Sequence, residues 1–280
     1  FPKEHPQHPL QGKVTHKLAY AYDRSGRHLL AAAQYRELGQ ARVDGGLQRE
    51  ALLRAAELFE RLGKDQDAVK TLELYLSRFP KPADQAVGVM QQLADLESAN
   101  GDAARRRHWL GEIIKMDRSA GNAQTRRLAA QASLELAEQR LVDFRRIRLV
   151  KPLQKSLASK LREMKRALKA FNAAIDYGVA PVTSSATYNV ASMYDELSQE
   201  LRASERPGNL SAEELAQYEL LLEEQAAPFE QQAIEIYTSN VRQASAGPFD
   251  HWSEKSRQRL DVLRPGWVEG VNTKLNPVKR

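Results

Sequence analysis

Apolar residues recur along most of this chain at the i, i+3, i+4, i+7 spacing of a helix with one buried face. Leu52, Ala55, Ala56 and Phe59 share one such face, and Gly63 then opens a turn. Ala68, Leu72 and Tyr75 mark a second helix, which Pro80 stops. The small residues Ala56 and Ala68 stand where two paired helices approach, and Phe59, Leu72 and Tyr75 fill the space between hairpins. The pattern returns upstream at Ala19, Tyr22, Gly26, Ala31 and Tyr35. Downstream it returns at Met90, Leu93, Ala94, Gly101, Leu110 and Ile113, with Arg106 where a small residue is expected. No run of Val, Ile, Thr or aromatic residues alternates with period two, so the pattern predicts no strand.

These positions resemble the tetratricopeptide repeat. The aligned alanines Ala19, Ala56 and Ala94 are 37 and 38 residues apart, slightly longer than the usual unit of about 34, and the surplus falls in loops. The predicted fold is all-α, a right-handed α-solenoid of tetratricopeptide-like helical hairpins with about twelve helices. The helices lengthen in the second half. An uninterrupted helical pattern covers residues 122–150, and Pro152 opens another that ends at Tyr177-Gly178. Val190, Ala191 and Tyr194 resume first-helix spacing. A loop follows at residues 206–209, and Ser211 with Glu214 forms a capping box. Pro228 is predicted to kink or interrupt the next helix. Gly247-Pro248 precedes a last helix at residues 250–263. The organisation is a flexible arm at residues 1–12, regular repeats at 13–120, a divergent region continuous with them at 121–265, and an irregular tail at 266–280. A soft seam lies near residues 119–122.

With 280 residues, 42% of them apolar, the chain can build one extended domain or two compact ones. It has no cysteine, which excludes disulfides, thiolate zinc sites and a cysteine nucleophile. The first residue is Phe1, so a signal peptide or lipid anchor is expected upstream if there is one. No apolar run approaches the ~20 residues that span a bilayer. The motif search is negative: no Gly-rich loop follows a strand, and G-x-S-x-G, H-E-x-x-H and EF-hand patterns are missing. His5 and His8 lie in a proline-flanked arm and read as part of a disordered leader rather than a metal site. His108 reads as surface and His251, beside Trp252, as packing. The expectation is a non-enzyme with no catalytic residue, cofactor or metal.

Charge changes the picture more than composition does. The net charge is +6, but eleven basic residues crowd residues 140–169 against only Asp143 and Glu163. Eleven acids occupy residues 195–235 against Arg202 and Arg206. Stacked helices of opposite sign would partly neutralise each other. The functional alternative is a basic face built on Arg145, Arg146, Arg148, Lys151, Lys155 and Lys165. Such a face would meet an acidic partner, a lipid headgroup or nucleic acid. Nucleic acid is the weaker fit, because only Phe144 and Phe171 offer stacking platforms in that stretch.

In this repeat class the first helix of each hairpin lines a concave groove. Transferred to this chain, that gives His16, Lys17, Tyr20, Asp23 and Arg24 from the first unit. The second contributes Glu50, Leu53, Arg54, Glu57 and Arg61, and the third Gln91, Gln92 and Asp95. Tyr188, Asn189, Ser192 and Asp195 are the C-terminal equivalents. Mixed charge with exposed tyrosine suits an extended peptide or a partner helix.

The second half carries a more specific likeness. Val150-Lys-Pro-Leu-Gln-Lys-Ser-Leu157, Tyr177-Gly-Val-Ala180, Ala186-Thr-Tyr188 and Ser204-Glu-Arg-Pro207 carry it. So do Leu210-Ser-Ala-Glu-Glu-Leu215, residues 218–226, Pro228-Phe-Glu-Gln-Gln-Ala-Ile-Glu235, and Trp252 before Lys255-Ser256. These strings resemble the C-terminal region of large tetratricopeptide proteins of Gram-negative envelopes, associated with gliding motility or with TonB/ExbB/ExbD-like energy transduction. The resemblance implies a periplasmic or outer-membrane-associated scaffold whose partner is another envelope protein, and it supplies no catalytic residues. The competing readings are a cytoplasmic location, a nucleic-acid-binding helical-repeat protein using residues 140–169, and the interaction domain of a larger enzyme.

Overall fold

The computed structural model describes residues 11–245 and 250–266. Among them are eleven α-helices and no strand. Cα packing divides the chain into two compact units, residues 1–129 and 130–280, with the boundary inside one helix.

The first unit holds α1 (Gln11–Arg24), α2 (His28–Gln40), α3 (Gly45–Arg61), α4 (Asp65–Arg78), α5 (Ala83–Ala99) and α6 (Ala103–Ala120). Consecutive helices pair as α1–α2, α3–α4 and α5–α6, and α2 packs closely on α3. These are the hairpins the spacing predicts. Ala19, Ala31, Ala55, Ala56, Ala68 and Ala94 are fully buried at the helix contacts, with Leu52, Leu72 and Tyr75 packed around them. Gly63 ends α3 at φ +65°, a backbone conformation that L side chains rarely adopt. Gly39 meets a different constraint: a Cβ there would lie 2.4 Å from Leu52 Cγ, so its small size is what lets α2 approach α3. Asp44 and Asp102 cap α3 and α6 by accepting backbone N–H bonds in the first turn.

The boundary falls within α7 (Ala123–Arg146). The second unit continues with α8 (Leu153–Ile175), α9 (Ala180–Arg202), α10 (Ala212–Ser245) and α11 (His251–Leu263). Its core joins Ala137, Leu141 and Phe144 of α7 to Met164 and Phe171 of α8, Met193 and Leu197 of α9, and Ala226 of α10. α10 lies along α9, and α11 packs on both. The Ser211–Glu214 capping box is present, with Ser211 N donating to Glu214 Oε2 at 2.8 Å and Glu214 N to Ser211 Oγ at 3.3 Å.

Several expectations are corrected. Pro228 does not interrupt its helix: α10 runs unbroken over 34 residues with the proline inside. Leu222, Ala226, Ala233, Tyr237 and Val241 are buried on both sides of it. Arg202 also pairs with Glu223 before the proline and Glu230 after it. Packing on both flanks holds the two halves in one helix, at a cost of roughly 3 kcal/mol for the interior proline. The eleven helices among the described residues agree with the expected all-α architecture of about twelve. Residues 11 and 12 belong to α1 rather than to a flexible arm. His5, His8, the Gly247-Pro248 break and most of the expected tail lie outside the described residues. Among the described residues no helix is long and apolar enough to cross a membrane.

Candidate functional site

A cleft of about 420 Å³ opens between α1 and α3. Helical spacing builds its walls. His16, Tyr20, Asp23 and Arg24 recur on one face of α1, and Glu50, Ala51 and Arg54 on one face of α3. Tyr35 and Leu38 of α2 and Leu47 of α3 complete the lining. Tyr20 is 57% exposed, whereas Tyr35 is 7% exposed and Leu38 fully buried. The cleft therefore has an apolar bed and a polar, partly aromatic rim.

One ion-pair network ties the two walls together. Arg54 donates to Asp23 Oδ2 through Nη2 at 2.7 Å and Nε at 3.1 Å. Its Nη1 reaches Glu57 Oε2 at 2.7 Å. His28 Nδ1 lies 3.2 Å from Asp23 Oδ1. Partial burial opposes ionisation of Asp23, but the Arg54 guanidinium and His28 outweigh it and hold the carboxyl below the usual range. The hydrogen bond to Asp23 raises Arg54 further above its ordinary value. Burial, with the Asp23 charge nearby, pushes the Tyr35 phenol up. At neutral pH the network is a fixed ion pair with an un-ionised tyrosine beneath it. That arrangement fixes the shape of the cleft.

Six of the sequence-derived groove residues line this cleft: His16, Tyr20, Asp23, Arg24, Glu50 and Arg54. Asp23, derived with them, anchors the network. Lys17 is exposed on α1 and Leu53, Glu57 and Arg61 on α3, all outside the lining, although Glu57 joins the network through Arg54. In the third hairpin Gln91 donates to Asp95 at 3.0 Å and Gln92 to Glu60, so these groups are engaged with neighbours rather than grouped around the cleft. Spacing did not single out Tyr35, Leu38 and Leu47 as site residues. Tyr35 reads in the sequence as core, and only the three-dimensional placement of α2 shows it also forms the floor.

The C-terminal equivalents are not on an open surface. Asn189, Ser192 and Asp195 are each 8% exposed or less. Asp195 accepts from Arg259 of α11, through Nη2 at 3.0 Å, and from Gln199 at 2.6 Å. Ser192 donates to Glu196 at 2.6 Å. Tyr188 stacks with Tyr237 and Trp252 at ring distances of 5.7 and 5.2 Å, and Lys255 lies over its ring. Packing of α11 on α9 covers this face, which spacing along α9 alone does not reveal.

The basic stretch is also thinned. Lys160 is fully buried. Arg145 forms a two-point ion pair with Glu196 at 2.9 and 2.5 Å. Arg146 pairs with Asp143 at 3.5 Å and Lys151 with Glu205 at 3.3 Å. Arg148, Lys155 and Lys165 remain exposed. Phe144 and Phe171, the only candidate stacking platforms, are fully buried. No group of three or more His, Cys, Asp or Glu positioned to hold a metal occurs among the described residues.

With the hairpins and the cleft defined, comparison with known proteins adds one local family match. Residues 50–82 match the tetratricopeptide repeat. That segment runs from within α3 through α4 to the turn after it, and α3 supplies one wall of the cleft. None of the curated proteins matches the chain. Among solved structures, the chain is similar to nearly identical TPR-like repeats assigned to a kinesin light chain of Podosopora anserina. The identity there is 14% and the TM-score 0.39, over 86% of this chain and 99% of that one.

Proposed function

We propose that this chain is a non-catalytic scaffold that binds an extended peptide or a partner helix in the cleft between α1 and α3. One observation carries the reading: exposed Tyr20, with Arg24 and Glu50, is presented around an apolar bed on two helices locked together by Arg54 and Asp23. Because the walls are held before any partner arrives, binding need order little of this chain. A tyrosine rim over buried apolar residues is the composition of an interface anchor. The tetratricopeptide repeat at residues 50–82 supports the same class of function.

The finer reading places the scaffold in a Gram-negative cell envelope, in the periplasm or at the outer membrane. There it would link components of an energy-transducing, motility or transport system. The strings in residues 150–265 that resemble such proteins support it. Fractionation of a Gram-negative host followed by immunodetection tests the location, and a purely cytoplasmic pool would remove it. The nucleic-acid alternative has lost its stacking platforms to the core.

The binding reading is tested by affinity capture from envelope extract, with the captured protein then purified and titrated against wild type, Tyr20→Ala and Glu50→Arg. Loss of affinity in both variants, with unchanged melting, supports the cleft. Equal affinity for all three chains moves the contact elsewhere.

A further inference from the structure

The opposite charges of the second unit neutralise one another only in part. Lys160 meets Glu200, Arg202 meets Glu223 and Glu230, and Arg206 lies 3.6 Å from Glu219. The outward faces are left over. On α8, Lys155, Arg162, Lys165 and Lys169 are exposed and fall on one side, opposite the buried Met164 and Phe171. From Lys155 to Lys169 this stripe is about 21 Å long at 1.5 Å per residue. Lys155, Lys165 and Lys169 have no ion-pair partner among the described residues, and half-buried Leu157 and 37% exposed Leu161 flank the stripe.

On α10 the outward face has the opposite character. Glu213 and Glu224 are exposed without an ion-pair partner among the described residues, and between them lie Leu220 and Leu221 at 62% and 58% exposure. Glu213 to Glu224 spans about 16 Å, comparable with the basic stripe. α8 and α10 both pack on α9 rather than on each other, so neither stripe is screened by the other within the unit. Two adjacent leucines exposed this far on a helix, bounded by unpaired acids, have the composition of an interface's apolar centre and polar rim.

We propose that a second copy of this chain docks here, the basic stripe of α8 in one copy against the acidic, leucine-bearing face of α10 in the other. The chain itself carries both halves of the complement, opposite in sign and similar in length. This contact is separate from the α1–α3 cleft and does not depend on it. Like-charge juxtaposition gives a mutational handle on such a contact, because it costs far more than a lost rim contact.

The test is sedimentation velocity of the full chain at low salt. It compares wild type, a basic-reversed chain (Lys155→Glu, Arg162→Glu, Lys169→Glu) and an acid-reversed chain (Glu213→Lys, Glu224→Lys). All the substituted side chains are exposed, and melting by circular dichroism confirms that each variant is folded. Wild type is expected to associate with increasing concentration, and to dissociate as salt shortens the Debye length from ~30 Å to ~8 Å. Each variant alone should associate at least about tenfold more weakly. An equimolar mixture of the two should associate again, because each then meets an opposite stripe. A monomeric wild type at all concentrations, a variant that associates like wild type, or a mixture that stays monomeric overturns the proposal. So does a monomeric wild type whose α8 stripe instead retains anionic vesicles or nucleic acid.

Discussion

The Lys160 ammonium, on a side chain with no solvent exposure, lies 2.7 Å from Glu200 Oε1. The same nitrogen donates to the Ile147 carbonyl at 2.8 Å and the Phe144 carbonyl at 3.4 Å, and sits 4.3 Å from the centre of the Phe144 ring. A lysine of α8 therefore caps the carbonyl end of α7 while pairing with α9. Positive charge at a helix C-terminus opposes the negative end of the helix dipole.

Removing that ammonium strands the two carbonyls that a buried donor had satisfied and leaves the partly exposed Glu200 carboxylate to solvent. Lys160→Ala should destabilise the chain by about 2–4 kcal/mol. Lys160→Met, which keeps most of the packing, should cost clearly less. Denaturant midpoints of the three chains check this. Equal midpoints for wild type and Lys160→Ala would show that the cap contributes nothing.

The hairpin spacing makes a second prediction at Ala56, which is fully buried among Leu52, Val69, Leu72 and Tyr75. Ala56→Phe should cost roughly 1–3 kcal/mol through overpacking, seen as a lower thermal midpoint. An unchanged midpoint would place the helix contact elsewhere.

How legible this molecule is in sequence depends on which contact is asked about. Contacts within a hairpin were readable, since Ala19, Ala56, Ala68 and Gly63 obey a local spacing that stacking converts directly into burial. Contacts that depend on a distant helix were not. Asp195 looks like a groove residue along α9, until Arg259 of α11, 64 residues away, covers it. Lys160 looks like one more surface cation, until three elements close around it. Pro228 looks like a break, because a local rule carries no knowledge of the α9 surface that both halves of α10 bury. For the cleft, the wall residues were readable from repeat geometry and the floor was not.

Pro228 yields the third prediction. It removes one backbone hydrogen bond in the interior of a helix that packs on both sides of it. Pro228→Ala should stabilise the chain, by up to about 3 kcal/mol. Urea unfolding measures this, and a destabilised Pro228→Ala chain would show that α9 is shaped to the proline.

The fourth concerns pH. The Asp23 carboxyl is held below the usual range in the folded chain, so its contribution is fully present above the unfolded value of ~3.9. That contribution is lost as pH falls through the lower folded value. The backbone N–H groups of Ser253 and Trp252 and the Ser184 and Ser253 hydroxyls likewise hold Asp250 low despite burial. Stability should therefore fall as pH drops below ~4, and Asp23→Asn should flatten part of that limb. Denaturant midpoints across the acid range follow it, and parallel profiles for the two chains would remove Asp23 from the account.

The most direct measurement of the central claim is site-specific photo-crosslinking in a Gram-negative host. A photoreactive residue would be placed in turn at Tyr20, at Glu50 and, as a distant control, at Lys115. The account predicts one discrete protein adduct of the same mass from both cleft positions and none from Lys115, with the adduct lost on Arg54→Ala in a chain that remains folded. Adducts from Lys115 alone, or no adduct at either cleft position while the chain still captures its partner, would contradict it.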